Sequence, residues 1–190
     1  TFAKPERENC DGYAYDPENP SQHIIDMSEN EIEVPEDYTR EELRQDLLCY
    51  TSPVLKEDLV LTGDMTAELY ISSDAPDTDF VVRVTDVDEN GRSIKLADGL
   101  LSARYRNGFA RSEFLQEGEI VCLKIRTTKL SNCFRKGHRI RVTVTSSAKN
   151  FIFPNSNTRE GFASARTVVA HNRVYHGGLH ASRLTVRVEP

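Results

Sequence analysis

Arg135-Lys-Gly-His-Arg-Ile-Arg-Val-Thr-Val-Thr-Ser-Ser147 decides the fold. It opens with a turn, Arg135-Lys136-Gly137-His138, and then alternates. Ile140, Val142 and Val144 fall on one face, and Arg139, Arg141, Thr143 and Thr145 on the other. A side-chain period of two is the mark of a strand with one buried face. Working outward, the same pattern recurs. Met65, Ala67, Leu69 and Ile71 alternate with Thr66, Glu68, Tyr70 and Ser72, and Phe80, Val82 and Val84 alternate with Val81, Arg83 and Thr85. Asp88-Glu-Asn-Gly91 closes a hairpin, its Asn-Gly pair supplying the positive φ of a tight turn. Val121, Leu123 and Ile125, then Val168 to Tyr175, then Leu184, Val186 and Val188 complete a set of about seven to nine strands. No strand-helix-strand rhythm is present, so two antiparallel sheets packed face to face are expected.

Upstream of Leu59 the pattern changes. Residues 1–38 are broken by Pro5, Pro17, Pro20 and Pro35 and read as an extended arm, in which Tyr13, Tyr15, Ile24, Ile25 and Met27 call for burial. Thr39-Arg-Glu-Glu42 matches a capping box and is followed by Leu43 and Leu47, which predicts one short helix near 39–48. The domain proper is expected to span 39–190.

With 190 residues and 38% hydrophobic content, the chain is long enough for one domain with a core. No apolar run approaches the ~20 residues of a membrane span. The net charge of −6 argues against a nucleic-acid partner. Cys10, Cys49, Cys122 and Cys133 show no C-x-x-C spacing and are read as free thiols, which with the absence of a signal-like N-terminus predicts a cytoplasmic protein. The first residue is Thr rather than Met, as expected of a trimmed chain or a piece of a longer polypeptide.

Residues able to carry chemistry are sparse. A nucleophile elbow G-x-S-x-G is missing; Gly161-Phe-Ala-Ser164 places its Ser one position late. His171, His176 and His180 would need to converge with a fourth ligand to hold a metal, and are read as turn residues. Asp74, Asp77 and Asp79 offer oxygen ligands but lack the spacing of a Ca²⁺ loop. Arg104, Tyr105 and Arg106, with Arg111 and Phe109, form either a contact surface or an ion-paired strand edge, and Phe151-Ile-Phe-Pro154 is either core or an exposed apolar loop.

Several phrases taken in order resemble a known family. Glu42-Leu-Arg-Gln-Asp-Leu-Leu-Cys-Tyr-Thr-Ser52, Ser72-Ser-Asp-Ala-Pro-Asp-Thr-Asp-Phe80, Asp98-Gly-Leu-Leu-Ser-Ala-Arg-Tyr-Arg106, Phe134-Arg-Lys-Gly-His-Arg-Ile-Arg141, Ser146-Ser147, Phe153-Pro154 and His180-Ala-Ser-Arg-Leu184 carry the likeness. They resemble the C-terminal domain of the X-Pro dipeptidyl-peptidase (S15) / cocaine esterase-like hydrolases. Asn155 to Thr158 resembles a shortened form of that family's Asn-rich loop, and Ala181 stands where Pro is usual.

The resemblance implies an all-β jelly-roll sandwich, galactose-binding-domain-like in shape. It implies that catalytic Ser, Asp and His lie in a preceding α/β-hydrolase domain, so this chain carries no catalytic, cofactor or metal residue of its own. Its implied partner is that catalytic domain of the same protein, whose cleft it would shape, with Arg104, Tyr105, Arg106, Phe151 and Phe153 as contact residues. No nucleic acid, membrane or cofactor is implied, and a homo-oligomer is compatible with it. The alternative is a carbohydrate-binding module, for which Tyr70, Tyr105 and Tyr175 are the available platforms in a chain without Trp.

Overall fold

A computed structural model describes residues 7–24 and 36–188. Eleven strands follow in order: β1 (Asn9–Tyr15), β2 (Leu47–Thr51), β3 (Leu59–Gly63), β4 (Thr66–Ser73), β5 (Asp79–Val87), β6 (Ser93–Ser102), β7 (Val121–Arg126), β8 (Leu130–Phe134), β9 (Arg139–Thr145), β10 (Ala170–His176) and β11 (Arg183–Thr185). One sheet runs β1-β10-β4-β11 with β7 on the other side of β4. A second runs β2-β9-β5-β6, and β3-β8 forms a two-stranded ribbon. Every pairing between these strands is antiparallel. The fold is the expected all-β sandwich. Among the described residues no helix is long and apolar enough to cross a membrane.

The alternation explains the layers. Ala67, Leu69 and Ile71 from β4, Leu123 and Ile125 from β7 and Val174 from β10 face Phe80 and Val82 from β5 and Val144 from β9 across the interior. Leu61, Met65, Val84, Ala97 and Phe134 form a second cluster under the ribbon. The Asp88–Gly91 hairpin forms as expected: Gly91 sits at φ 85°, and Asp88 Oδ1 accepts from the amides of Asn90 and Arg92.

Two expectations upstream of Leu59 are corrected. The first part of the arm is not draped over the sandwich but is strand β1, paired with β10 from Asn9↔His176 to Tyr15↔Ala170. Tyr13 and Tyr15 are buried accordingly; Ile25 and Met27 lie outside the described residues. The helix near 39–48 reduces to a single 3-10 turn, Glu41–Leu43, followed at once by β2. The capping box fails because both of its side chains are engaged elsewhere. The Thr39 hydroxyl donates to Asp37 (2.6 Å), and the Glu42 carboxylate accepts from Ser93 (2.8 Å), Thr85 (3.3 Å) and Arg141 (2.5 Å). Tertiary partners outweigh the few tenths to about 2 kcal/mol that a cap contributes.

Glu42 also explains why the polar face of the founding strand is buried. Thr143 and Thr145, expected at the surface, are covered together with Arg83 and Thr85 of β5. The cover is the segment from Ser21 to His23, whose His23 amide donates to Lys149 O (2.8 Å), together with Glu36 to Glu42, whose Tyr38 amide donates to Ser93 O (2.8 Å).

Candidate functional site

Three of the family-like stretches, Ser72 to Phe80, Asp98 to Arg106 and Asn155 to Thr158, meet in space at one end of the sandwich. Asp77 lies in the turn between β4 and β5, Arg104 in a 3-10 turn after β6 (Ala103–Tyr105), and Asn155 to Thr158 in the loop after β9. Asp77 is fully buried, and its carboxylate accepts from Arg104 Nε (2.7 Å), the Arg104 amide (2.9 Å) and Asn155 Nδ2 (2.7 Å). Asn155 Nδ2 also reaches Asp79 Oδ1 (2.9 Å), so one amide bridges two carboxylates. Burial pushes the Asp79 carboxyl up from its ordinary value, with the Asp77 charge adding to it against the hydrogen bonds from Ser102 and Asn155. Arg104 Nη2 continues to Thr158 O (3.0 Å), and its guanidinium lies over the Phe114 ring at 5.1 Å. Asn157 is held in the left-handed region (φ 62°), which Asn tolerates better than most residues. Its amide donates to Asn155 Oδ1 (2.9 Å).

On this frame the surface is aromatic. Phe162, in the 3-10 turn Gly161–Ala163, stacks on Phe153 with ring centroids 5.9 Å apart. Both rings are exposed, Phe153 by 78% and Phe162 by 75%. Tyr105 and Phe109 form a second pair at 5.4 Å. Between the Pro76 turn and the 157–169 loop lies a cleft of about 340 Å³, lined among others by Asp74, Pro76, Asn157, Arg159, Arg166 and Val168.

The expected contact residues divide. Arg104 is a strut, only 13% exposed, rather than a surface cation. Arg106 likewise turns inward, bonding Ala103 O (3.2 Å) and Glu113 O. Tyr105 is half-buried. Phe151 stacks on His23 at 4.6 Å and so faces the covering segment, while Phe153 is free to solvent. Phe162 was missed; its signal is an aromatic flanked by Gly161 in an otherwise polar loop.

The histidines do not converge. His171 pairs with Asp74 (2.7 Å), His176 with Asp11 (3.1 Å), His180 with Glu8 (2.7 Å) and His138 with Asp86 (2.9 Å). Among the described residues no group of three His, Cys, Asp or Glu side chains could hold a metal ion. The four cysteines are free thiols. The remaining alternative platforms, Tyr70 and Tyr175, are met edge-on by His180 at 5.3 and 6.1 Å.

Residues 4–185 match the family described as the X-Pro dipeptidyl-peptidase C-terminal non-catalytic domain. The chain belongs to that family. It is 35% identical over 188 residues to the cocaine esterase of a Rhodococcus species, covering 95% of this chain and 32% of the esterase. The fold is shared with an aminopeptidase from a marine sediment archaeon (TM-score 0.91, 24% identity, all of this chain and 35% of that one). It is shared also with an α-amino acid ester hydrolase (TM-score 0.85, 22% identity, 95% of this chain and 32% of that one). This member of the X-Pro dipeptidyl-peptidase C-terminal family thus spans about a third of the length of the relatives it matches.

Proposed function

We propose that this chain is the C-terminal β-sandwich of an S15/cocaine esterase-type serine hydrolase, a dipeptidyl-peptidase or acyl esterase in its full-length form. In this reading it packs on an α/β-hydrolase domain of the same polypeptide and walls part of its active-site cleft. It supplies no catalytic group. The observation that carries the reading is the family match over residues 4–185 in a chain a third as long as its relatives. Arg104, Tyr105, Arg106, Phe151 and Phe153 are the proposed contact region, with Arg104 and Arg106 acting from beneath the surface.

The test is ester turnover by the full-length protein. We expect hydrolysis of p-nitrophenyl acyl esters that is abolished by replacing a serine outside this chain. Full retention of activity after that replacement, with loss upon a substitution inside residues 36–188 that leaves the fold intact, would place chemistry here and overturn the reading.

A further inference from the structure

Resting on that reading, we propose that the stacked pair Phe153–Phe162 is the anchor that seats this domain in an apolar recess of the catalytic domain. Arg159 and Arg166 would meet carboxylates on the rim of that recess. Single exposed apolar residues are ordinary. Two rings stacked on each other, away from both core clusters and each about three-quarters in water, are not.

The loop beneath them is built to hold still. Gly161 adopts φ 63° and packs so closely on Arg104 that a Cβ there would stand 3.1 Å from Nη2. Its carbonyl accepts from Ser156 Oγ (2.6 Å), its amide donates to Thr158 O (3.1 Å), and the Ser164 amide donates back to Gly161 O (3.1 Å). Arg104 ties all of this to the buried Asp77. An anchor already fixed in position loses little conformational freedom on association, and aromatic anchors in desolvated pockets dominate interface energies.

The occupant follows from length and charge. About two thirds of each relative's polypeptide lies outside the part this chain matches, which supplies a covalently linked partner. Arg159 and Arg166, on the same loop as Phe162, have no carboxylate within 4 Å among the described residues; Arg159 rests instead on the Phe114 ring at 4.5 Å. Two such cations fit a surface whose apolar recess is edged with acids.

The experiment uses the full-length hydrolase carrying Phe153→Ala with Phe162→Ala, the conservative Phe153→Leu with Phe162→Leu, and Leu179→Ala as an equally exposed control on the β10–β11 loop. None of these side chains supports the core, so the fold should survive. We expect the double Ala variant to lose on the order of tenfold in amide-exchange protection across 157–169 and in kcat/KM, as truncation of an interface anchor does. The Leu pair should recover most of both, and Leu179→Ala should match wild type. Ester turnover and exchange unchanged in the double Ala variant would overturn the anchor while leaving the hydrolase reading intact. A full-length protein that hydrolyses no ester would overturn the reading and the anchor with it. A wild-type dimer that the double Ala variant converts to monomer, with turnover unchanged, would give the rings to a second copy of the chain and overturn the assignment.

Discussion

Two arginines, Arg83 fully buried and Arg104 largely enclosed, are handled in opposite ways. Arg104 is neutralised: Asp77 accepts from its side chain and its backbone amide, and the pair locks three loops. Arg83, 1% exposed, has no carboxylate within 4 Å among the described residues. Its Nη2 donates to the carbonyls of Ser147 (3.1 Å) and Gln22 (3.3 Å), its guanidinium lies on the Tyr38 ring at 5.0 Å, and its Nε has no partner. Burial pulls it down from its ordinary value. The difference teaches what each does. An ion pair fixes a geometry that must be presented outward, whereas a cation solvated by carbonyls is a fastener for the chain segment that brings those carbonyls.

Breaking the pairs should therefore have unequal effects. Arg104→Met leaves the Asp77 carboxylate buried beside Asp79 without its cation, and should cost about 3–5 kcal/mol in urea unfolding. Arg83→Met removes a charge along with its hydrogen bonds, so the loss should be about 1–2 kcal/mol. It should also be local: amide exchange should rise first at His23, Tyr38 and Lys149 rather than in β4 or β7. A cost for Arg83→Met as large and as global as that for Arg104→Met would erase the distinction.

The smallest effects lie in the pH dependence, and they have opposite signs around the two arginines. Near Arg104, Asp79 has a raised carboxyl. The folded state then holds the proton more tightly, and the stabilisation present below 3.8 is lost as pH rises through the folded value. Near Arg83, His23 is lowered chiefly by burial and then by Lys95, whose Nζ stands 3.2 Å from Nε2. Its contribution is present above 6.5 and lost as pH falls toward the folded value. Asp79→Asn should remove the fall in stability as pH rises above 3.8, and His23→Gln should flatten the limb just below 6.5. A curve that either substitution leaves unchanged would remove that group from the account.

The same contrast marks what could be read in the sequence. Strands such as 139–145 and 79–87 were legible because a period of two needs only the chain itself. The burial of Thr143, Thr145 and Arg83 was not, because it depends on a covering segment more than a hundred residues away in sequence from Ser147. The capping box at Thr39 misled for the same reason: Glu42 found Ser93 and Arg141 before it could cap anything. At the candidate site, the family-like phrases were visible one by one, but their meeting through Asp77, Arg104 and Asn155 was not. Arg104 reads in the sequence as either a contact residue or an ion-paired edge, and only the structure shows that it is a strut to Asp77; Phe162, carried on that strut, went unseen.

Strand β1 imposes an order on the making of this molecule. Its partner is β10, and Asp11 waits for His176, 165 residues later in the chain. At ribosomal speeds of roughly 5–20 residues per second, that is on the order of ten to thirty seconds. Once β4 is made, β7 can cover one of its edges as soon as Arg126 follows, but the other edge stays open to any other strand until β10 and β11 emerge. The sandwich closes only when its last third has been synthesised.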